Sequence, residues 1–305
     1  MPATTTRGRD VRGILLLDKP RGLTSNRVLQ HVKRLYGAAK AGHTGSLDPL
    51  ATGMLPICFG VATRLGGFLL DAEKAYRVTA RFGIATETAD ADGAVTERVD
   101  EPRPTTGALH DVLGRFRGEI DQVPPMYSAL KQGGKRLYEL ARRGVVVERE
   151  PRRVTIFELA LERYEWPDAQ IYVRCSKGTY VRSLVVDLAA ALGTVAHVAE
   201  LRRVAVEPFA GEPMVTVEEL EALVASGGTD ALDARLLPPD RALTGWPEVM
   251  LSSEAAERLA HGQAVAADPA WPSGRVKVYR ESRELLAIGE ITPDRRLAPH
   301  RVFAR

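Results

Sequence analysis

Twelve residues constrain this chain more than any others: Gly42-His43-Thr44-Gly45-Ser46-Leu47-Asp48-Pro49-Leu50-Ala51-Thr52-Gly53. Glycine admits left-handed backbone and Ser or Thr hydroxyls close self-bonded turns, while neither type propagates a helix, so the segment reads as a shaped loop. The run after it, Met54-Leu55-Pro56-Ile57-Cys58-Phe59, is apolar and carries the loop into a core. Asp48 stands at the junction. Pro49 confines the Asp48 backbone to extended dihedrals, so its carboxylate is held by the chain instead of riding on a helix face. An Asp-Pro pair is also ordinary turn chemistry, so the use of this carboxylate depends on what the rest of the chain brings to it.

Before the loop, the apolar residues of 13–17 read as a buried strand ending in the turn Asp18-Lys19-Pro20-Arg21-Gly22. Lys19, just past that strand, is either a phosphate contact or a solvated turn lysine. Thr24 or Ser25 caps a helix whose Val28, Leu29, Val32 and Leu35 share one face, and Gly37 stops it. After the loop, 74–84 alternates: Tyr76, Val78, Ala80, Phe82 and Ile84 on one face, Arg77, Thr79 and Arg81 on the other. Tyr76 therefore stands on the buried face of a strand, near its beginning. The acidic, turn-rich 85–104 reads as an exposed loop, and a helix follows over 106–116.

The stretch 123–144 has a double proline, a double glycine, the cations Lys131, Lys135, Arg136, Arg142 and Arg143, and Met126, Tyr127 and Tyr138 among them. Cations for phosphates interleaved with stacking groups fit an arm that closes over RNA; an ordinary surface helical hairpin is the other reading. Strands are expected at 145–147, 154–157 and 170–175. Cys175-Ser176-Lys177-Gly178-Thr179-Tyr180-Val181-Arg182 is a strand, a turn and a helix start. A cation at a helix N-terminus opposes the macrodipole, so Arg182 is placed for a partner. Thr216 and Glu219 form a capping box, 237–247 with its prolines reads as a linker, and 248–305 shows a Ser-capped helix closed by Gly262 and short β patterns at 276–279 and 285–291.

Of the 305 residues 45% are hydrophobic and 27% charged, the balance of a globular protein, and no apolar run is long enough for a membrane span. Residues 1–10 lack a signal-peptide core and read as a short disordered lead, part of a 1–12 tail on a cytoplasmic protein. Cys58 and Cys175 lie in apolar sequence without metal-ligand spacing, hence two buried thiols, no metal and no disulfide. Net charge is only +3, but 1–60 holds nine Lys or Arg against three acids, and 131–153 holds eight against three. Such segregation makes a positive face for a polyanion. A Walker loop, a strand-linked GxGxxG and metal spacing are all missing, so no cofactor is expected.

The GHTGSLDP segment, the 123–144 stretch and the CSKGTYVRS segment together resemble the bacterial tRNA pseudouridine synthase B family, and the resemblance runs from Gly13 to Phe209. It implies an α/β fold of α+β type, a mixed, mainly antiparallel sheet flanked by helices, spanning 13–236. It further implies a thumb-like insertion at about 124–144 and a small β-rich PUA-like RNA-binding module at 248–305. It implies that Asp48 is the catalytic residue, that Arg182 pairs with it, and that Tyr76 packs on the target uracil and assists proton removal from carbon 5. Tyr180 and Leu201 line the pocket, and His43 fills the space left by a flipped base, where by itself it would read as a turn histidine. The implied reaction is isomerisation of uridine 55 in the tRNA T loop, needing no cofactor and no obligatory protein partner, by a monomer. Lys19, Lys131 and Arg142 are then expected phosphate contacts. An RNA-binding or RNA-folding module without catalysis is the alternative from another class, and the guide-RNA-dependent synthases share the core. A glycosidase would need a second carboxylate placed as partner to Asp48.

Overall fold

The computed structural model describes residues 8–303, and for residues 131 and 132 the backbone alone. Strand β1 (Gly13–Lys19) is buried almost throughout and leads to helix α1 (Ser25–Leu35), where the Thr24 hydroxyl accepts from the Arg27 N–H as N-cap. Short β2 (Ala41–His43) and β3 (Thr52–Phe59) flank the glycine-rich loop. A 3-10 turn and α2 (Gly66–Asp71) lead into β4 (Lys74–Phe82), whose Tyr76, Val78, Ala80 and Phe82 are buried while Arg77 is exposed, as the alternation requires.

The acidic 85–104 stretch is not all loop: β5 (Ile84–Thr86) and β6 (Val95–Arg98) pair in it as a hairpin. Then come α3 (Thr106–Arg115) and β7 (Gly118–Gln122). The insertion holds β8 (Lys131–Gln132), β9 (Lys135–Arg136) and α4 (Leu137–Ala141). The expected strand at 145–147 is missing, because these valines meet no strand edge and Val146 is 79% exposed. After β10 (Arg152–Glu165) and β11 (Asp168–Cys175) the chain forms α5 (Val181–Ala191), β12 (Ala196–Val206) and α6 (Val217–Asp233).

The main sheet runs β1-β3-β12-β4-β11-β10-β7, with β2 added on β3. All its pairings are antiparallel except β12 on β3, which joins Arg202 to Thr52 and Arg203 to Gly53 in parallel. Gly53 has φ +98°, and a Cβ there would lie 2.2 Å from the Arg203 carbonyl oxygen, so this close approach admits glycine alone. The loop after β2 is thereby tied to the middle of the sheet. On one face of the sheet, α3 and α5 bury Leu109, Leu113, Leu184, Val185 and Leu188 against β4, β10 and β11.

The 237–247 segment, between the two sheets, is packed. Leu237 exchanges two 2.8 Å backbone hydrogen bonds with Ile14, Leu243 is 1% exposed, and Trp246 meets Phe68 edge-on at 5.3 Å. Beyond it, β13 (Glu248–Leu251), α7 (Ser253–Ala260), β14 (Val265–Ala266), β15 (Gly274–Arg280), β16 (Leu285–Ile291) and β17 (Arg296–Val302) build a second sheet in the order β13-β15-β16-β17-β14. Of the expected disordered lead, 1–7 lies outside the described residues; from Arg9 onward the chain is packed, with Arg9 paired to Asp233 and Val11 buried. Cys58 and Cys175 are free and buried, their thiols pushed up to about 12 and about 11 by loss of solvation. Among the described residues no helix is long and apolar enough to cross a membrane.

Candidate active site

The loop between β2 and β3 is fastened from beneath. The Ser25 hydroxyl donates to the Leu47 carbonyl at 3.0 Å and accepts its N–H at 2.8 Å; the Gly22 N–H donates to Pro49 at 2.7 Å. Lys19 corrects an expectation: it is fully buried, and its ammonium donates to the carbonyls of Pro20 at 2.8 Å and Ala51 at 2.7 Å. It braces the loop and offers no exposed surface in this conformation. Burial lowers its pKa to about 8, against the pull of Asp48. Arg203, 1% exposed, donates from Nε to the Met54 carbonyl at 2.7 Å and from Nη2 to Gly45 at 3.1 Å.

On this platform Asp48 faces a cavity of about 320 Å³ lined by Tyr76, Tyr180, Arg182, Leu201, Arg203 and Lys74, among others. That volume lies in the range of small-ligand pockets. Arg182 Nε meets Asp48 Oδ2 at 2.9 Å, with the arginine side chain 5% exposed and the carboxylate 39%. The partner expected from the unfavourable dipole is therefore Asp48, with more behind it: Nη1 donates to the Thr88 carbonyl at 2.8 Å and lies 3.7 Å from Asp90, and Nη2 donates to the Tyr127 carbonyl at 2.7 Å. The guanidinium is held on every side and aims one edge at the carboxylate. Burial raises the Asp48 pKa from its ordinary value, and the Arg182 charge opposes that rise. Tyr76 is 8% exposed, and burial keeps its phenol protonated well above neutrality.

Tyr180 precedes α5; its backbone is clamped by Gln122, whose amide donates to the Tyr180 carbonyl at 3.1 Å and accepts its N–H at 2.7 Å. Leu201, 8% exposed, stands on β12 in the wall of the cavity. His43 is in β2, opposite Ile57 and outside the cavity wall; its Nδ1 is buried with no hydrogen-bond partner among the described residues, and burial, then Arg203, lowers its pKa. Arg142 is exposed on the insertion, 5.5 Å over the Tyr138 ring and away from the cavity. The Lys131 side chain lies outside what the structure describes.

Sequence reasoning missed Arg203, Lys74, Gln122, Ser128 and Asp90. For Arg203 the signal was present, since it follows Leu201 by two in a strand and shares its face. Asp90 and Ser128 carry no local signal, because their proximity to Arg182 and the cavity comes from segments far apart in the chain.

Among the described residues of the cavity wall Asp48 is the one carboxylate, steered by a buried arginine in a ring-lined cavity on a mixed, mainly antiparallel sheet. The model of the TruB family pseudouridylate synthase N-terminal domain matches residues 33–181, the tRNA pseudouridylate synthase B C-terminal domain matches 182–244, and a further TruB C-terminal model matches 247–303. The chain belongs to the TruB family of pseudouridylate synthases, which are isomerases. It is 53% identical over 295 residues to tRNA pseudouridine synthase B of Stutzerimonas stutzeri, covering 97% of this chain and 96% of that one. With its namesake in Pseudomonas aeruginosa the identity is 52% over 297 residues, 97% of both chains. Among solved structures, a chain in the crystal structure of a Cbf5-Nop10-Gar1 complex superimposes with a TM-score of 0.73 at 26% identity, covering 96% of this chain and 85% of that one.

Proposed function

We propose that this protein isomerises uridine 55 in the T loop of tRNA to pseudouridine, with Asp48 as the catalytic carboxylate. The observation that carries the reading is the 2.9 Å contact of Arg182 with Asp48 at the cavity wall, beside Tyr76, Tyr180 and Leu201. The names of its close relatives, tRNA pseudouridine synthase B, support tRNA as the substrate.

The reaction breaks the ribose C1′–N1 bond, rotates the uracil and rejoins it through C5; the C5 proton leaves and N1 gains one, so no redox partner is needed. A nucleophilic carboxylate starts such a sequence, and Arg182 keeps Asp48 ionised and aimed. The uracil must leave its stack to reach it. Tyr76 then packs on the ring and assists removal of the C5 proton, Tyr180 and Leu201 close the walls, and His43 fills the space left in the T loop. Arg142 and Lys131 of the insertion meet phosphates, and affinity falls with salt. The enzyme acts in the cytoplasm, where tRNA is.

Transcribed tRNA carrying 5-tritiated uridine tests the site. Release should reach one tritium per tRNA and vanish for a transcript with cytidine at 55. Release that persists from that transcript contradicts the site, and no release from either contradicts the activity.

A further inference from the structure

The root of the insertion is pinned more firmly than an arm needs. Arg182 holds the Tyr127 carbonyl at 2.7 Å, the Tyr127 phenol donates to Glu87 at 2.5 Å, and the Ser183 hydroxyl donates to Val123 at 2.9 Å. Ser128 is fixed next: its N–H donates to Met126 at 2.9 Å and its carbonyl accepts from Tyr138 at 3.1 Å. Its side chain belongs to the cavity wall with Ala129, and its hydroxyl lies against the Tyr180 phenol, whose pKa it pulls down against the rise caused by burial. The residue is 5% exposed, yet its hydroxyl has no hydrogen bond of regular geometry among the described residues. A buried hydroxyl whose neighbour, the Tyr180 phenol, is not in regular hydrogen-bond geometry opposes folding, and alanine would avoid that.

We propose that the Ser128 hydroxyl reads the flipped base: when a pyrimidine enters beside Tyr180, the hydroxyl donates to a carbonyl oxygen on its edge. The inference rests on the reading of this cavity as the uracil site. Because the same segment is gripped by Arg182, the hydroxyl reaches the base when the insertion root is seated against the Asp48 partner. Seating of the root and recognition of the base are then one event.

The test compares the full-length wild type with Ser128→Ala in single-turnover isomerisation, tRNA-binding titration and thermal melting. The substrates are tRNA with uridine, 2-thiouridine or 4-thiouridine at the target, and products are separated as nucleosides after digestion. Sulfur is a weak acceptor, so replacing the carbonyl that Ser128 reads should slow the wild type and leave the variant unchanged. With uridine, Ser128→Ala should be slower by roughly 5- to 100-fold, with tRNA affinity unchanged and melting temperature not lowered. A wild-type rate in the variant overturns the proposal. So does a slower rate with a lowered melting temperature, which marks a structural hydroxyl, or equal slowing of both proteins by each sulfur substitution. If the wild type itself isomerises no uridine, the reading of the cavity fails, an outcome distinct from these.

Discussion

Gly53→Ala tests how the catalytic loop is tied to the sheet. The glycine sits at φ +98°, and a Cβ there would lie 2.2 Å from the Arg203 carbonyl oxygen, whereas real Cβ contacts essentially never fall below 3.0 Å. The parallel β3–β12 contact must therefore open by at least the difference, about 0.8 Å. A side chain at positive φ adds ~1–3 kcal/mol of strain. With the disturbed pairing, the loss is about 2–5 kcal/mol. For a chain of this size that lowers the melting temperature by roughly 5–15 °C. The same opening moves Asp48 relative to Leu201 and Arg203, and a displacement approaching 1 Å slows chemistry by about 10- to 100-fold. Scanning fluorimetry and single-turnover tritium release below the melting range read both effects. Gly67→Ala is the control, since a Cβ there meets nothing within 4 Å. If Gly53→Ala melts and reacts like the control, the account of this junction is wrong.

Further outcomes follow from the charges. Asp48 must be ionised to act and burial raises its pKa above 3.8, so the acid limb of the pH–rate profile should fall with a midpoint above that value. Its folded value exceeds the unfolded one, so ionising it removes stability as pH rises through that window, and Asp48→Asn should flatten this part of the stability curve. Lys19, lowered from 10.5 to about 8, holds fewer protons folded than unfolded between those values, so its contribution to stability rises with pH there. Lys19→Met should lower the melting temperature yet leave the salt dependence of tRNA binding unchanged; a changed slope would restore it as a phosphate contact. Arg142→Ala should weaken tRNA binding at every T-loop sequence and reduce the log–log salt slope by about one; an unchanged slope removes it from the interface.

What the sequence disclosed was whatever its period or its capping chemistry decides locally. The alternation of Tyr76, Val78, Ala80 and Phe82, the Thr24 cap and the Thr216–Glu219 box each reappear in the fold because each rests on near neighbours. The hairpin of 84–98 was hidden because β6 is exposed along its length and has no apolar face to betray it. The packing of the 237–247 stretch was hidden because its prolines signal loop while Leu237 and Leu243 carry the contacts. Lys19 looked like a surface cation because the carbonyl of Ala51 that buries it is 32 residues away. Asp48, Tyr76, Tyr180, Arg182 and Leu201 came together as the motifs implied, whereas the surrounding Arg203, Asp90 and Ser128 depend on tertiary proximity that no local pattern encodes.

The central claim is that the Asp48 carboxylate drives the isomerisation. Asp48→Asn keeps the shape, and Arg182 retains the carbonyls of Thr88 and Tyr127 and the neighbouring Asp90, so fold and RNA affinity should persist. Tritium release from 5-tritiated-uridine tRNA, measured beside a tRNA-binding titration, decides it. The account predicts wild-type binding with release abolished; release at the wild-type rate from the Asn variant would contradict it.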